Sequence, residues 1–213
     1  MNYSYEKKLQ RQGYSFIAGA DEAGRGCWAG PLVAASVILD PSKTKKLRAV
    51  NDSKKLSHED RAKLLPLIKE CSLCWAVAVI RQDEIDEHGL TFANHTAVKR
   101  ALGHLKIQPS FIAFDYVAKL KLDKPFASVK HGDATILSIA AASIIAKETR
   151  DQIMRAWHQI YPQFAFAEHK GYGTAKHSQN LLKYGPSPVH RHSYKPIIKI
   201  KALRRKQLKK KAI

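Results

Sequence analysis

Apolar positions recur in two rhythms along this chain. Short unbroken runs suit strands buried on both faces, and runs spaced at three and four residues suit helices. The first strand is expected over 15–20, and a β-branched run over 32–39 reads as the second. Further strands are expected over 75–80, over 111–114 ending on Asp115, and over 126–130. Between them lie helical patterns. Ser57 is placed as an N-cap with Asp60 at the third helical position, ahead of Leu64, Leu65 and Ile68. Segments 82–88 and 91–104 follow, the latter with Ala97, Val98, Ala101 and Leu102 on one stripe. A long helix is expected over 133–160, with the stripe Ile136, Ile139, Ala140, Ser143, Ile144, Ile153, Met154 and Trp157, ended by Pro162. Its cluster Ala140-Ala141-Ala142 permits close approach to a sheet. Strands followed by helices give an α/β fold class, a sheet covered by helices.

A length of 213 residues fits one large domain or a domain with an appendage. We expect one main domain over 1–192 and a basic C-terminal tail over 193–213. No internal repeat and no long flexible linker interrupts the pattern. Charge changes the picture most. The formal net charge is +19, and no Asp or Glu follows Glu168. Such a field attracts polyanions, with nucleic acid the leading class.

Cys27, Cys71 and Cys74 supply no disulfide framework, and the Cys71–Cys74 spacing has no second pair to complete a zinc site. The N-terminus lacks the apolar segment of a signal peptide, and no run approaches membrane-spanning length. The expectation is a reduced, cytoplasmic monomer with no membrane attachment and no inferred protein partner.

Candidate chemistry begins at Ile17-Ala18-Gly19-Ala20-Asp21-Glu22-Ala23-Gly24-Arg25-Gly26. An apolar strand delivers two adjacent carboxylates, and a glycine loop follows that lets backbone N–H groups approach a phosphate. Adjacent carboxylates resist joint ionisation unless positive charge is near. In a chain this basic, a divalent cation is the simplest partner. Asp115 ends a later strand and Asp133 precedes the long helix. In open α/β folds functional residues gather at such strand ends and helix starts. Asp21, Glu22, Asp115 and Asp133 converging there would make a hard oxygen site for Mg²⁺ or Mn²⁺. Taken singly, Asp21-Glu22 reads equally as a loop-facing acidic pair, Asp115 as common turn chemistry, and Asp133 more often as a helix-start aspartate than as a ligand. Asp151 lies roughly 27 Å further along an unbroken helix and is assigned instead to Arg155.

Several ordered motifs carry a family resemblance. Asp21-Glu22-Ala23-Gly24-Arg25-Gly26 resembles the opening signature of the type 2 ribonucleases H, bacterial ribonuclease HII in particular. Asp52-Ser53-Lys54-Lys55-Leu56, Lys130-His131-Gly132-Asp133, the segment 140–151 through Lys147-Glu148-Thr149-Arg150-Asp151, His169-Lys170-Gly171-Tyr172-Gly173-Thr174 and His190-Arg191-His192-Ser193-Tyr194 follow in order. They span roughly 16–196. The resemblance implies a ribonuclease H-like fold, a mixed five-stranded sheet flanked by helices, with a C-terminal helical and basic extension. It implies endonucleolytic cleavage of RNA in RNA–DNA hybrids and in DNA duplex containing single ribonucleotides, 5′ of the ribonucleotide, leaving 3′-hydroxyl and 5′-phosphate ends.

Asp21, Glu22, Asp115 and Asp133 match that family's metal-binding carboxylates. Gly24, Arg25 and Gly26 would meet the 2′-hydroxyl, Tyr172 the adjoining deoxyribose, and Lys54, Lys55, Ser143, Lys147 and Lys170 phosphates, with plain helix packing an alternative nearly as good for Ser143 and Lys147. One departure is Asp115-Tyr116-Val117, where the family often has Asp-Gly-Asn. Asp115 keeps its place after the apolar strand and is retained over Asp123, which sits in a lysine-rich surface setting. The competing readings are a noncatalytic nucleic-acid binder and another two-metal nuclease or integrase of the same general fold. A simple binder gains nothing from acids facing phosphates.

Overall fold

The computed structural model describes residues 1–211. Its elements, in chain order, are α1 (Ser4–Arg11), β1 (Ile17–Ala23), β2 (Leu32–Leu39), α2 (His58–Glu70), β3 (Ser72–Ile80), α3 (Gln82–His88), α4 (Leu90–Gly103), β4 (Phe111–Asp115), β5 (Phe126–Val129), α5 (Leu137–Ile160), α6 (Phe166–His169), α7 (Ala175–Tyr184) and α8 (Lys195–Lys211). The chain divides into two compact units. One comprises Met1–Ala23, Val33–Val79 and Asn94–Thr149, the other Gly24–Leu32, Ile80–Ala93 and Arg150–Ile213.

The first unit holds the mixed five-stranded sheet that the family resemblance implies, in the order β3-β2-β1-β4-β5. β1 runs antiparallel to β2 and parallel to β4, and β4 runs parallel to β5. β2 is buried at every position, as its β-branched run requires. Its inner residues join Leu64 and Ile68 of α2 and the alanine cluster of α5 in one core. Gly19 has a specific reason to be glycine: a β-carbon there would stand 2.2 Å from the Ser138 carbonyl carbon. The α5 backbone therefore crosses β1 at a distance only glycine permits.

Several boundaries differ from expectation. β1 continues through Ala23, so Asp21 and Glu22 lie within the strand. β3 begins at Ser72. α5 begins at Leu137, because Gly132–Ala134 forms a separate 3-10 turn entered through left-handed His131 (φ 57°). Asp133 is thus a turn residue. α1 has no counterpart in the sequence reading. Its buried Glu6 accepts a hydrogen bond from Ser138 N at 2.8 Å, placing a carboxylate where the N-terminal turn of α5 needs an acceptor. Ser57 caps α2 as expected, accepting from Asp60 N. The three cysteines are free and buried.

The second unit contains α3, α6, α7 and α8 around a core of Met154, Phe164, Phe166, Leu181, Val189, Ile197 and Ile200. The basic tail is largely helix: α8 buries Ile197 and Ile200 and leaves Lys199, Arg205 and Lys206 exposed. It clusters with 150–192 rather than apart from it. Residues 212 and 213 of the expected tail lie outside the described residues. Among the described residues, no helix is long and apolar enough to cross a membrane.

Candidate active site

Register brings the acids of the first unit together. Ala20 of β1 pairs with Phe114 of β4 in the parallel ladder. One residue further on, Asp21 and Asp115 stand at the same level on neighbouring strands, which run ~4.8 Å apart. Asp115 Oδ1 accepts from Gly132 N at 3.0 Å, tying the end of β4 to the turn that carries Asp133. Asp21 and Asp133 are buried; Glu22 and Asp115 are partly open. Burial pushes the Asp21 carboxyl well above the usual carboxylate range. The negative charges of Glu22, Asp115 and Asp133 push it the same way, against one hydrogen bond from Glu22 N. Each of the other three acids thus acts on Asp21.

Lys54 meets this group. Its Nζ donates to Asp133 Oδ2 at 2.9 Å. Burial alone would lower the Lys54 pKa; the Asp133 hydrogen bond and the charges of Asp133, Asp21 and Asp52 outweigh it and raise the pKa. The loop carrying Lys54 is held from beneath. Arg61 Nη1 donates to the carbonyls of Ser53 (3.1 Å) and Leu56 (2.7 Å), and its Nε to buried Glu148 at 2.7 Å. Ser143, expected at a phosphate, is buried with its hydroxyl 2.6 Å from that of Ser53. In this structure it supports the loop. Lys55 is exposed and Lys147 half-buried.

The donor chemistry fits a hard divalent cation: four carboxylates, two of them buried, with a raised Asp21 pKa that positive charge would relieve. Among the described residues, no three His, Cys, Asp or Glu side chains are already drawn into a coordination geometry. Like charges at close range oppose such an arrangement, and Lys54 already engages Asp133.

The second unit holds the other expected residues. Gly24 has φ +100°, and a β-carbon there would meet Arg150 Nε at 2.2 Å. Arg25 and Gly26 are exposed. Lys170 adopts a left-handed conformation (φ 51°), and its ammonium donates to the Ala167 carbonyl. Tyr172 is 42% exposed, and its side chain hydrogen-bonds that of Cys27. Burial, chiefly, raises its phenol pKa.

Two buried histidines anchor the Tyr172 backbone. His177 Nδ1 lies 2.9 Å from the Tyr172 carbonyl, and His177 Nε2 lies 2.9 Å from His190 Nε2. Ser187 N donates to His190 Nδ1 at 2.9 Å. Only one neutral arrangement satisfies all three bonds. His177 Nδ1–H donates to Tyr172, and His190 Nε2–H donates to His177. Burial lowers the His177 pKa to about 4 and that of His190 to about 3.

Glu148, Arg150, His190 and Arg191 entered the sequence reading only as members of quoted motifs, and Arg61 and His177 lie outside every one of them. Their one local signal is charge set among buried positions of α5, at Glu148 and Arg150.

The mixed sheet, with carboxylates on adjacent strands and on a following turn, has the architecture of the ribonuclease H-like class. Comparison with known proteins narrows this. The family model for Ribonuclease HII matches residues 18–197. A Ribonuclease HII of Acholeplasma laidlawii is 44% identical over 199 residues, covering 93% of this chain and 96% of its own. Another, from Pelotomaculum thermopropionicum, is 45% identical over 195 residues, covering 92% and 73%. The crystal structure of ribonuclease H2 from Pyrococcus horikoshii superposes with a TM-score of 0.76 at 29% identity, covering 90% of this chain and all of that one. The chain belongs to the ribonuclease HII family, metal-dependent endoribonucleases that act on RNA–DNA hybrids.

Proposed function

We propose that Asp21, Glu22, Asp115 and Asp133 hold Mg²⁺ or Mn²⁺ and that the chain cuts a phosphodiester 5′ of a ribonucleotide, in hybrids and in DNA duplex with embedded ribonucleotides, leaving 3′-hydroxyl and 5′-phosphate ends. The observation that carries this reading is buried Asp21, loaded by three neighbouring negative charges in a chain of net charge +19. Such a group is costly to ionise alone and inexpensive to ionise beside a cation. Two bound ions would supply an activated water and stabilisation of the leaving oxygen. The chain's own residues do the rest. The four acids fix the position of that chemistry. Lys54, on a loop braced by Arg61 and Glu148, offers an ammonium that can pass from Asp133 to a substrate phosphate. The backbone of Gly24, Arg25 and Gly26 offers N–H and C=O groups to the 2′-hydroxyl, which alone separates a ribonucleotide from its neighbours. Tyr172 presents a half-open ring for the adjoining sugar. Lys55, Lys147 and Lys170 position backbone without specifying sequence. The basic stretch 193–213 adds affinity that weakens with salt.

The test is a duplex with one ribonucleotide, incubated with protein and Mg²⁺ or Mn²⁺, or with chelator. A nick 5′ of the ribonucleotide that requires metal is expected. Binding without a nick supports the noncatalytic reading, and equal cutting of all-DNA duplex supports a general nuclease.

A further inference from the structure

The second unit spends two buried guanidinium groups on backbone carbonyls. Arg150 and Arg191 are both fully buried. Arg150 donates from Nε to Pro31 O (2.9 Å), from Nη2 to Ala29 O (3.0 Å) and from Nη1 to Lys170 O (2.9 Å). Its guanidinium carbon stands 5.8 Å from the centre of the Tyr172 ring. Arg191 donates from Nε to Gly30 O (3.0 Å) and from Nη1 to Arg25 O (2.9 Å). The same Nη1 donates to the Tyr194 hydroxyl at 2.8 Å, and that hydroxyl donates on to Arg25 O at 3.0 Å. Among the described residues, Arg191 Nη2 is buried with no partner.

Stability does not account for this. A buried charge satisfied only by neutral acceptors carries a desolvation penalty, and well-packed apolar side chains often serve a core as well or better. What the guanidiniums provide is geometry. Arg150 joins the 24–31 loop to the Lys170-Gly171-Tyr172 turn through three bonds from one rigid plane. Arg191 and Tyr194 close on the carbonyl of Arg25 itself. That carbonyl therefore accepts from two donors and cannot rotate without breaking both.

We propose that Arg191, Tyr194 and Arg150 are positioning residues that lock the 24–26 backbone and Tyr172 into one rigid surface, and that this rigidity sets the preference for an isolated ribonucleotide over a continuous RNA strand. The inference rests on the proposed reading that this loop and Tyr172 meet the ribonucleotide and its neighbour. A lone 2′-hydroxyl offers a displaced loop one register only. A continuous RNA strand offers a neighbouring hydroxyl at every step and tolerates misplacement.

The experiment measures kcat and KM for wild type, Tyr194→Phe, Arg191→Lys and Arg150→Lys on two substrates, a single-ribonucleotide duplex and a long RNA–DNA hybrid. Thermal unfolding is followed alongside. If wild type nicks neither substrate, the functional reading itself fails. If wild type nicks both, the ratio of kcat/KM values decides. We expect the single-ribonucleotide value to fall ~10-fold or more relative to the hybrid value in the lysine variants, within the range that small misplacements of binding groups produce. Tyr194→Phe, which keeps the ring and removes one bond to Arg25 O, should move the ratio in the same direction while still folding. It decides the matter should a lysine variant not fold. Equal losses on both substrates, or an unchanged ratio in Tyr194→Phe, would mean these side chains only hold the fold and would overturn the proposal.

Discussion

Lys54 Nζ lies 2.9 Å from Asp133 Oδ2, so an exposed lysine partly neutralises the most buried of the four candidate ligands. Lysine and cation therefore compete for one carboxylate. Removing the lysine should let a divalent cation bind more tightly. Lys54→Ala is expected to strengthen Mn²⁺ binding in the absence of nucleic acid by up to about fivefold, the equivalent of ~1 kcal/mol for a pair with one exposed partner. Titration followed by electron paramagnetic resonance of free Mn²⁺ reads this directly. Weaker or unchanged binding would remove Lys54 from the competition.

Asp21 is the buried carboxyl on which the charges of Glu22, Asp115 and Asp133 all act. Asp21→Asn removes the charge and keeps the shape. Turnover of a single-ribonucleotide duplex should drop by more than ~100-fold, beyond the usual cost of losing an outer partner of a metal site. Binding of the duplex should hold or improve, because one negative charge facing phosphates is gone. Wild-type turnover in this variant would exclude Asp21 from the chemistry.

Tyr172 presents an open ring whose hydroxyl is tied to Cys27. Tyr172→Ala should lower kcat/KM on a single-ribonucleotide duplex by about 10-fold, in the range of ring-to-nucleotide contacts measured by truncation. Long hybrids should suffer less. Parallel losses on the two substrates would argue against contact at an RNA–DNA junction.

The His177–His190 pair sets an acid limit on stability. Both are neutral in the fold, with pKa values of about 4 and about 3 against 6.5 for an ordinary histidine. Between those values the unfolded chain binds more protons than the folded one, so stability rises with pH there. It is complete above about pH 6.5 and falls as acid is added toward pH 4, each unit of depression being worth ~1.4 kcal/mol. Protonating His177 at Nε2 also sets two donors against each other across the His177–His190 contact. Thermal unfolding at a series of pH values should show this slope, and His190→Gln should flatten it. A wild-type midpoint that does not move between pH 6.5 and 4.5 would contradict the assignment.

Much of the sheet was legible in the chain because burial on both faces leaves an unbroken apolar run, as at β2, and that is a property of consecutive residues. The candidate acids were legible for a related reason: Asp21 and Asp115 each end an apolar run, where a carboxylate is out of place unless it has work to do. The start of α5 was not legible. Apolar spacing continues back through Ile136, and only the Asp115–Gly132 hydrogen bond and left-handed His131 show that Asp133 sits in a turn.

By itself, the sequence determined roughly where the strands fall, which acids follow their apolar runs and that the chain seeks a polyanion, since periodicity, residue type and charge are local or summed quantities. Tertiary structure alone decided that Arg150 would grip Pro31 across 119 residues, that Arg191 would close on Arg25 across 166, and that Arg61 would brace the Lys54 loop through Glu148 across 87. A guanidinium carries no mark in the sequence of which carbonyl it will find. That choice is made only when folding removes water and leaves the buried donor one set of acceptors within reach.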